Sequence, residues 1–143
     1  MKCFFLKNSL TYHVFYATIV LTKGQRPRKE VMTMMTISSL TFSYHAQVER
    51  ADRIAIIDNY IGWGQIVKEV YFSGCYHCVT DTGLVLVVDD TRRVIITLYI
   101  MDKRKLHQMY NNRPPKYLIS KVDFNVNHGW VQTYRAAMRA GLI

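Results

Sequence analysis

Hydrophobic and polar positions alternate from Thr36 through "TISSLTFS", the period of a strand with one buried face, and predict a first strand over Thr36–Ser43. The period then lengthens. Within "AQVERADRIAIIDNYIGWGQIVKEV" Val48, Ala51, Ile54 or Ala55, and Asp58 fall at helical spacing, and Gly62 and Gly64 interrupt the run before Val70. One long helix or two short ones satisfy this pattern.

The segment "KEVYFSGCYHCVTDTGLVLVVDDTRRVIITLYI" returns to β-branched and aromatic residues, with turn signals at Ser73-Gly74, Asp81 to Gly83 and Asp89 to Arg92. It predicts a meander of three antiparallel strands. Strict alternation along its last strand would put Val94, Ile96, Leu98 and Ile100 on one face, meeting the helices. Arg93, Ile95, Thr97 and Tyr99 would share the other, facing outward or into a cleft. Beyond it, Asp102 is a candidate N-cap for a helix carrying Leu106, Met109 and Tyr110 on one side, and Asn111 to Pro115 ends that helix. "KYLISKVDFNVNHGWVQTYRAAMRAGL" predicts one or two further helices broken at Gly129. The fold class is therefore α+β: an N-terminal strand and helices, a three-stranded antiparallel meander, then C-terminal helices.

Charge divides this domain. Of the 143 residues, 1–31 carry six Lys/Arg and one acid, 32–100 carry five against seven, and 101–143 carry eight against two. The basic excess sits at the two ends, so the bulk charge of +9 is not spread evenly over a nucleic-acid footprint.

The first end has two open readings. Lys29-Glu30-Val31 can be encoded by a sequence containing a bacterial ribosome-binding site just upstream of the codons for Met34 and Met35, which makes residues 1–33 a candidate translated leader or disordered extension. In the alternative, Met32, Met34 and Met35 simply precede a strand of the single domain, 34–143. The apolar stretch "CFFLKNSLTYHVFYATIVL" contains Lys7, Asn8 and His13 and no small-residue cleavage pattern, which argues against a membrane span or export signal. With three cysteines and no export signal, reduced thiols and a cytoplasmic location in a bacterial host are expected.

Cys75 and Cys78 form a Cys-x-x-Cys pair, but residues three apart on a strand point to opposite faces, and no second ligand pair exists for a structural metal. The expectation is two small semi-buried thiols, with no metal site and no cofactor.

His45 stands where the first strand gives way to the first helix, with Glu49 four and Arg53 eight residues on. An imidazole that titrates near neutrality, beside guanidinium groups able to hold a phosphate, meets the needs of metal-independent RNA cleavage. Such a histidine also serves as an ordinary helix-start residue with solvated arginines around it. The stretches "YHAQVERADRI" and "GCYHCVTDTGLVLVVDDTRRVIITLYI" together resemble the barnase-like and RelE-like ribonuclease superfamily, in particular its phage and toxin-type members. The resemblance implies a small α+β messenger-RNA interferase fold. It places His45, Arg50 and Arg53 in the helical part of the site and the hydroxyls of Thr97 and Tyr99 at the strand end. His77 is a second candidate acid or base.

Lys103, Arg104 and Lys105 form the densest basic patch and are the candidate RNA-binding residues, with Tyr110, Tyr117 and Trp130 as candidate stacking surfaces. The expected function is thus an RNA-directed protein of phage or toxin type, a metal-independent endoribonuclease acting on RNA such as ribosome-associated mRNA, with an antitoxin or host protein as a further partner and no membrane. The alternative is a non-catalytic phage-encoded module that inhibits a host protein through the surface around Arg93 and Tyr99.

Overall fold

The computed structural model describes residues 33–143. The leader proposed for 1–33 therefore falls, save Thr33, outside the described residues.

The first strand is much shorter than its pattern suggests. Both the N–H and the Oγ of Ser39 donate to the Thr36 carbonyl, at 3.0 and 2.7 Å, winding Ile37–Ser39 into a 3-10 turn and leaving only Thr41–Phe42 as β1. Small hydroxyl side chains offer the backbone this local alternative to a ladder. Ser43 then starts helix α1 (Tyr44–Glu49), its Oγ accepting from the Ala46 N–H at 3.1 Å. After a break at Arg50 comes α2 (Ala51–Ile56), which runs into a π-helical turn at Ile57–Ile61. Two short helices, rather than one long one, satisfy the sequence period.

The three turn signals delimit four strands rather than three: β2 (Ile66–Phe72), β3 (Cys75–Thr80), β4 (Leu84–Val88) and β5 (Val94–Ile100). Each pairs antiparallel with the next. β1 joins the far side of β5 in parallel, giving one mixed sheet in the order β1-β5-β4-β3-β2. Helices α3 (Lys103–Met109), α4 (Lys116–His128) and α5 (Trp130–Arg139) follow. Asp102 caps α3 through a 2.7 Å bond from the Lys105 N–H, and Gly129, at φ 58°, makes the left-handed joint between α4 and α5. The chain is an α+β domain, as its pattern indicated.

Both faces of the sheet are covered. Tyr76, Cys78, Leu84, Leu86, Val88, Ile95 and Leu98 meet Ala46 and Ile57 of the α1–α2 side. Cys75, Val79, Val85, Val87 and Ile96 meet Leu106, Leu118 and Val122 of α3 and α4. This double burial explains why all five residues of β4, "LVLVV", are apolar without alternation. It also corrects the expectation that the Thr97 and Tyr99 face would be open. Thr97 is only 4 % exposed, and Tyr99 packs with the α3–α4 cluster.

A bulge corrects the expected faces of β5 as well. Val87 pairs with Thr97 but Val88 pairs with Ile95, so Ile96 is an extra residue opposite the Val87–Val88 step. Before it, Ile95 shares the α1–α2 face with Leu98 and Ile100; at it, Ile96 joins the opposite face with Tyr99. Strict alternation assigned Ile95 and Ile96 the other way round.

Candidate functional site

The predicted site residues fall into two groups separated by the sheet. His45, Arg50 and Arg53 lie on α1 and α2. His77 and Thr97 both pair with Val87, whose side chain belongs to the α3–α4 face, and Tyr99 lies on that face too. Even there His77 and Thr97 are two strand spacings apart, about 10 Å. The six residues do not converge on one cleft.

In the first group, the His45 Nδ1 lies 3.4 Å from the Glu49 Oε1, one helical turn on, while His45 Nε2 is covered and has no hydrogen-bond partner. Arg50 donates from Nη1 to the Glu49 carbonyl at 3.2 Å, and its Nε is likewise covered without a partner. Arg53 is committed elsewhere: its Nη1 donates to the Leu98 carbonyl at 2.8 Å. Burial first, then the charge of Arg50, lowers the Arg53 pKa, with Asp52 opposing. Asp52 in turn accepts from Arg135 of α5 at 2.6 Å. Glu49 is thus the partner that residue-by-residue transfer from the resemblance did not include, and its signal was the four-residue spacing to His45.

In the second group, burial depresses the His77 pKa, the charge of Lys105 adds to this, and a backbone bond to Phe72 opposes it. The Phe72 ring lies 5.8 Å from the imidazole. Burial, with Asp102 nearby, raises the Tyr99 phenol. A half-buried, neutral histidine and a phenol held in its protonated form have the character of packed strand residues.

The two cysteine side chains point to opposite faces, as strand geometry required: Cys75 belongs to the α3–α4 cluster and Cys78 to the α1–α2 cluster. Cys78 is a free thiol pushed up to about 12 by burial, so it is neither nucleophile nor ligand at neutral pH. Cys75 is disulfide-bonded, which corrects the expectation that all the thiols are reduced. Among the described residues no group of three or more His, Cys, Asp or Glu is placed to hold a metal ion. No described helix is long and apolar enough to cross a membrane.

The basic patch is displayed on the first turn of α3. Lys103 and Arg104 are exposed and Lys105 is half-buried, and Lys103 Nζ lies 3.4 Å from Asp123 of α4. Of the three aromatics expected beside it, Tyr110 is half-buried under Lys68 at 5.0 Å, Tyr117 is exposed, and Trp130 belongs to a ring tier that the sequence did not disclose. Trp130 stacks with Tyr60 of the π-helical turn, centroids 5.1 Å apart and planes 13° apart, and with His128 at 5.0 Å and 16°. Phe124 lies 4.0 Å from His128. Phe124 and His128 are one turn apart on α4, a readable spacing, but Tyr60 arrives from the far side of the chain. A separate groove of about 600 Å³ between residues 34–38 and 63–66 contains none of the predicted site residues.

Comparison of the chain with protein-family models, with curated proteins and with solved structures gives no match.

Proposed function

We propose that this protein is RNA-directed and contacts RNA through the first turn of α3. The observation that supports this reading is the placement of Lys103, Arg104 and Lys105 in succession at a helix N-terminus. The helix dipole opposes cations there, typically by about 0.3–1 kcal/mol each, so local helix stability does not account for them. They belong to the part of the described domain in which the positive charge is concentrated, residues 101–143. Lys103 also pairs with Asp123 of α4, and phosphate neutralisation gives Arg104 and Lys105 a use that no ion pair among the described residues supplies.

Cleavage is a second reading, favoured by one observation, the His45–Glu49 pair beside Arg50. A carboxylate beside Nδ1 orients an imidazole. In such a step the covered Nε2 of His45 would first have to open to the substrate; it would then take the 2′-hydroxyl proton as that oxygen attacks phosphorus and return it to the departing 5′-oxygen, leaving a 2′,3′-cyclic phosphate. Arg53, engaged with the Leu98 carbonyl, and Thr97, Tyr99 and His77, across the sheet, are not part of this step.

The test is incubation of the purified full chain with RNA in chelator, with the ends of any product analysed. Cyclic-phosphate ends that disappear in His45→Ala support cleavage. Salt-sensitive RNA binding without cleavage leaves the binding reading alone, and no RNA binding at low salt overturns both.

A further inference from the structure

We infer that the ring tier on α4 and α5 is a stacking platform for unpaired bases, so that the RNA recognised is single-stranded; this rests on the RNA-directed reading above and names its substrate class. The outer members of the tier are open to solvent, Tyr60 at 56 % and Phe124 at 51 % exposure. Surface aromatics that stack on one another while leaving large areas exposed offer flat π-faces to a ligand with rings of its own. A duplex hides its base faces inside the helix, whereas a single strand splays them outward.

The tier is continuous with the basic turn. Lys103 is paired to Asp123, the residue before Phe124, so the cations of α3 lie beside the part of α4 at which the rings begin. Lys121 is exposed on the same helical stripe as Phe124 and His128, three and seven residues before them. Trp130 meets Tyr60 and Arg135 meets Asp52, so α5 runs antiparallel to α2, and this packing holds Tyr60 against the first residue of α5.

Charge selects the occupant. The segment that carries Phe124, His128 and Trp130, residues 101–143, has eight Lys/Arg against two acids, one of those acids paired with Lys103 and the other capping α3, and Lys103 and Lys121 are the cations placed beside the rings. A polyanion with planar rings matches both features of the surface at once.

The experiment uses the full chain and a labelled, unstructured pyrimidine RNA of about 12 nucleotides, within the usual span of such sites, together with the same sequence as a duplex, read by fluorescence anisotropy. The single strand is expected to bind more tightly than the duplex. Phe124→Leu and Tyr60→Leu keep an apolar side chain and remove the ring; each is expected to weaken single-strand binding on the order of tenfold, with unchanged circular dichroism and melting. This ring effect should persist at high salt, whereas the effect of Lys121→Ala should shrink.

Equal affinity for duplex and single strand, or ring variants that bind like the parent while Lys103→Glu still weakens binding, overturns the platform and leaves the RNA reading intact. Failure to bind any RNA overturns both. Self-association relieved by Phe124→Leu, with no RNA binding, assigns the rings to a second copy of the chain and overturns the platform.

Discussion

Arg53 donates to the carbonyl of Leu98 at 2.8 Å, closing the edge of β5 where β1 no longer covers it. β1 pairs only with Val94 and Ile95, so the later carbonyls of β5 on that side need other donors. Ser43 Oγ supplies one to Ile96 at 3.0 Å, and Arg53 supplies the next. An arginine expected at a phosphate is thus a structural donor to the sheet edge. Arg53→Ala should cost about 1–2 kcal/mol, since it strands a part-buried carbonyl, measured by urea denaturation. Unchanged stability would show that water replaces the guanidinium without loss.

His77 makes stability fall with acid. Its folded pKa lies below the usual value because burial and Lys105 disfavour the imidazolium. The unfolded chain therefore takes up a proton first, and this contribution is present above about pH 6.5 and lost as pH falls through the folded value. His77→Phe should flatten that limb of the stability profile, and any RNA-dependent activity should be retained. A profile that keeps its full slope would assign the acid sensitivity to other groups.

Cys78 acts in the opposite direction. Its folded thiol is pushed up to about 12 by burial, above the unfolded value near 9. Between these values the unfolded chain loses its proton while the folded chain does not, so stability holds below about pH 9 and falls as pH rises toward the folded value. Cys78→Ala should reduce this alkaline loss. In the native protein at pH 7, Cys78 should react with iodoacetamide only at the rate of global or local opening, followed by peptide mass mapping.

On the proposed reading, Lys103 and Arg104 should set the salt response of RNA binding. Each charge removed from a phosphate contact on a single strand should lower the slope of log K against log salt by about 0.7. The double variant Lys103→Gln/Arg104→Gln, measured by anisotropy across a salt series, should therefore lower the slope by about 1.4. A parent-like slope would remove the α3 turn from the interface.

Local features of the chain were legible in the sequence because short-range forces fix them. Asp102 at the start of α3, the left-handed Gly129 between α4 and α5, and the three turns of the meander all depend on residues within a few positions. The opposed orientation of Cys75 and Cys78 follows from the pleat alone. The first strand failed at Ser39 because a side-chain hydroxyl competed with an alternation that was otherwise sound.

What tertiary structure decided lay in relations between distant residues. One extra residue at Ile96 exchanged the faces of Ile95 and Ile96, and α3 and α4 covered a surface that alternation left open. These events separated Thr97 and Tyr99 from His45, and the uncapped edge of β5 took Arg53 away from any phosphate. The tier joining Tyr60 to Trp130 spans 70 positions of the chain. Sequence period records which residues want burial; where each is buried depends on the partner surface that reaches it, and that surface exists only once the sheet has closed.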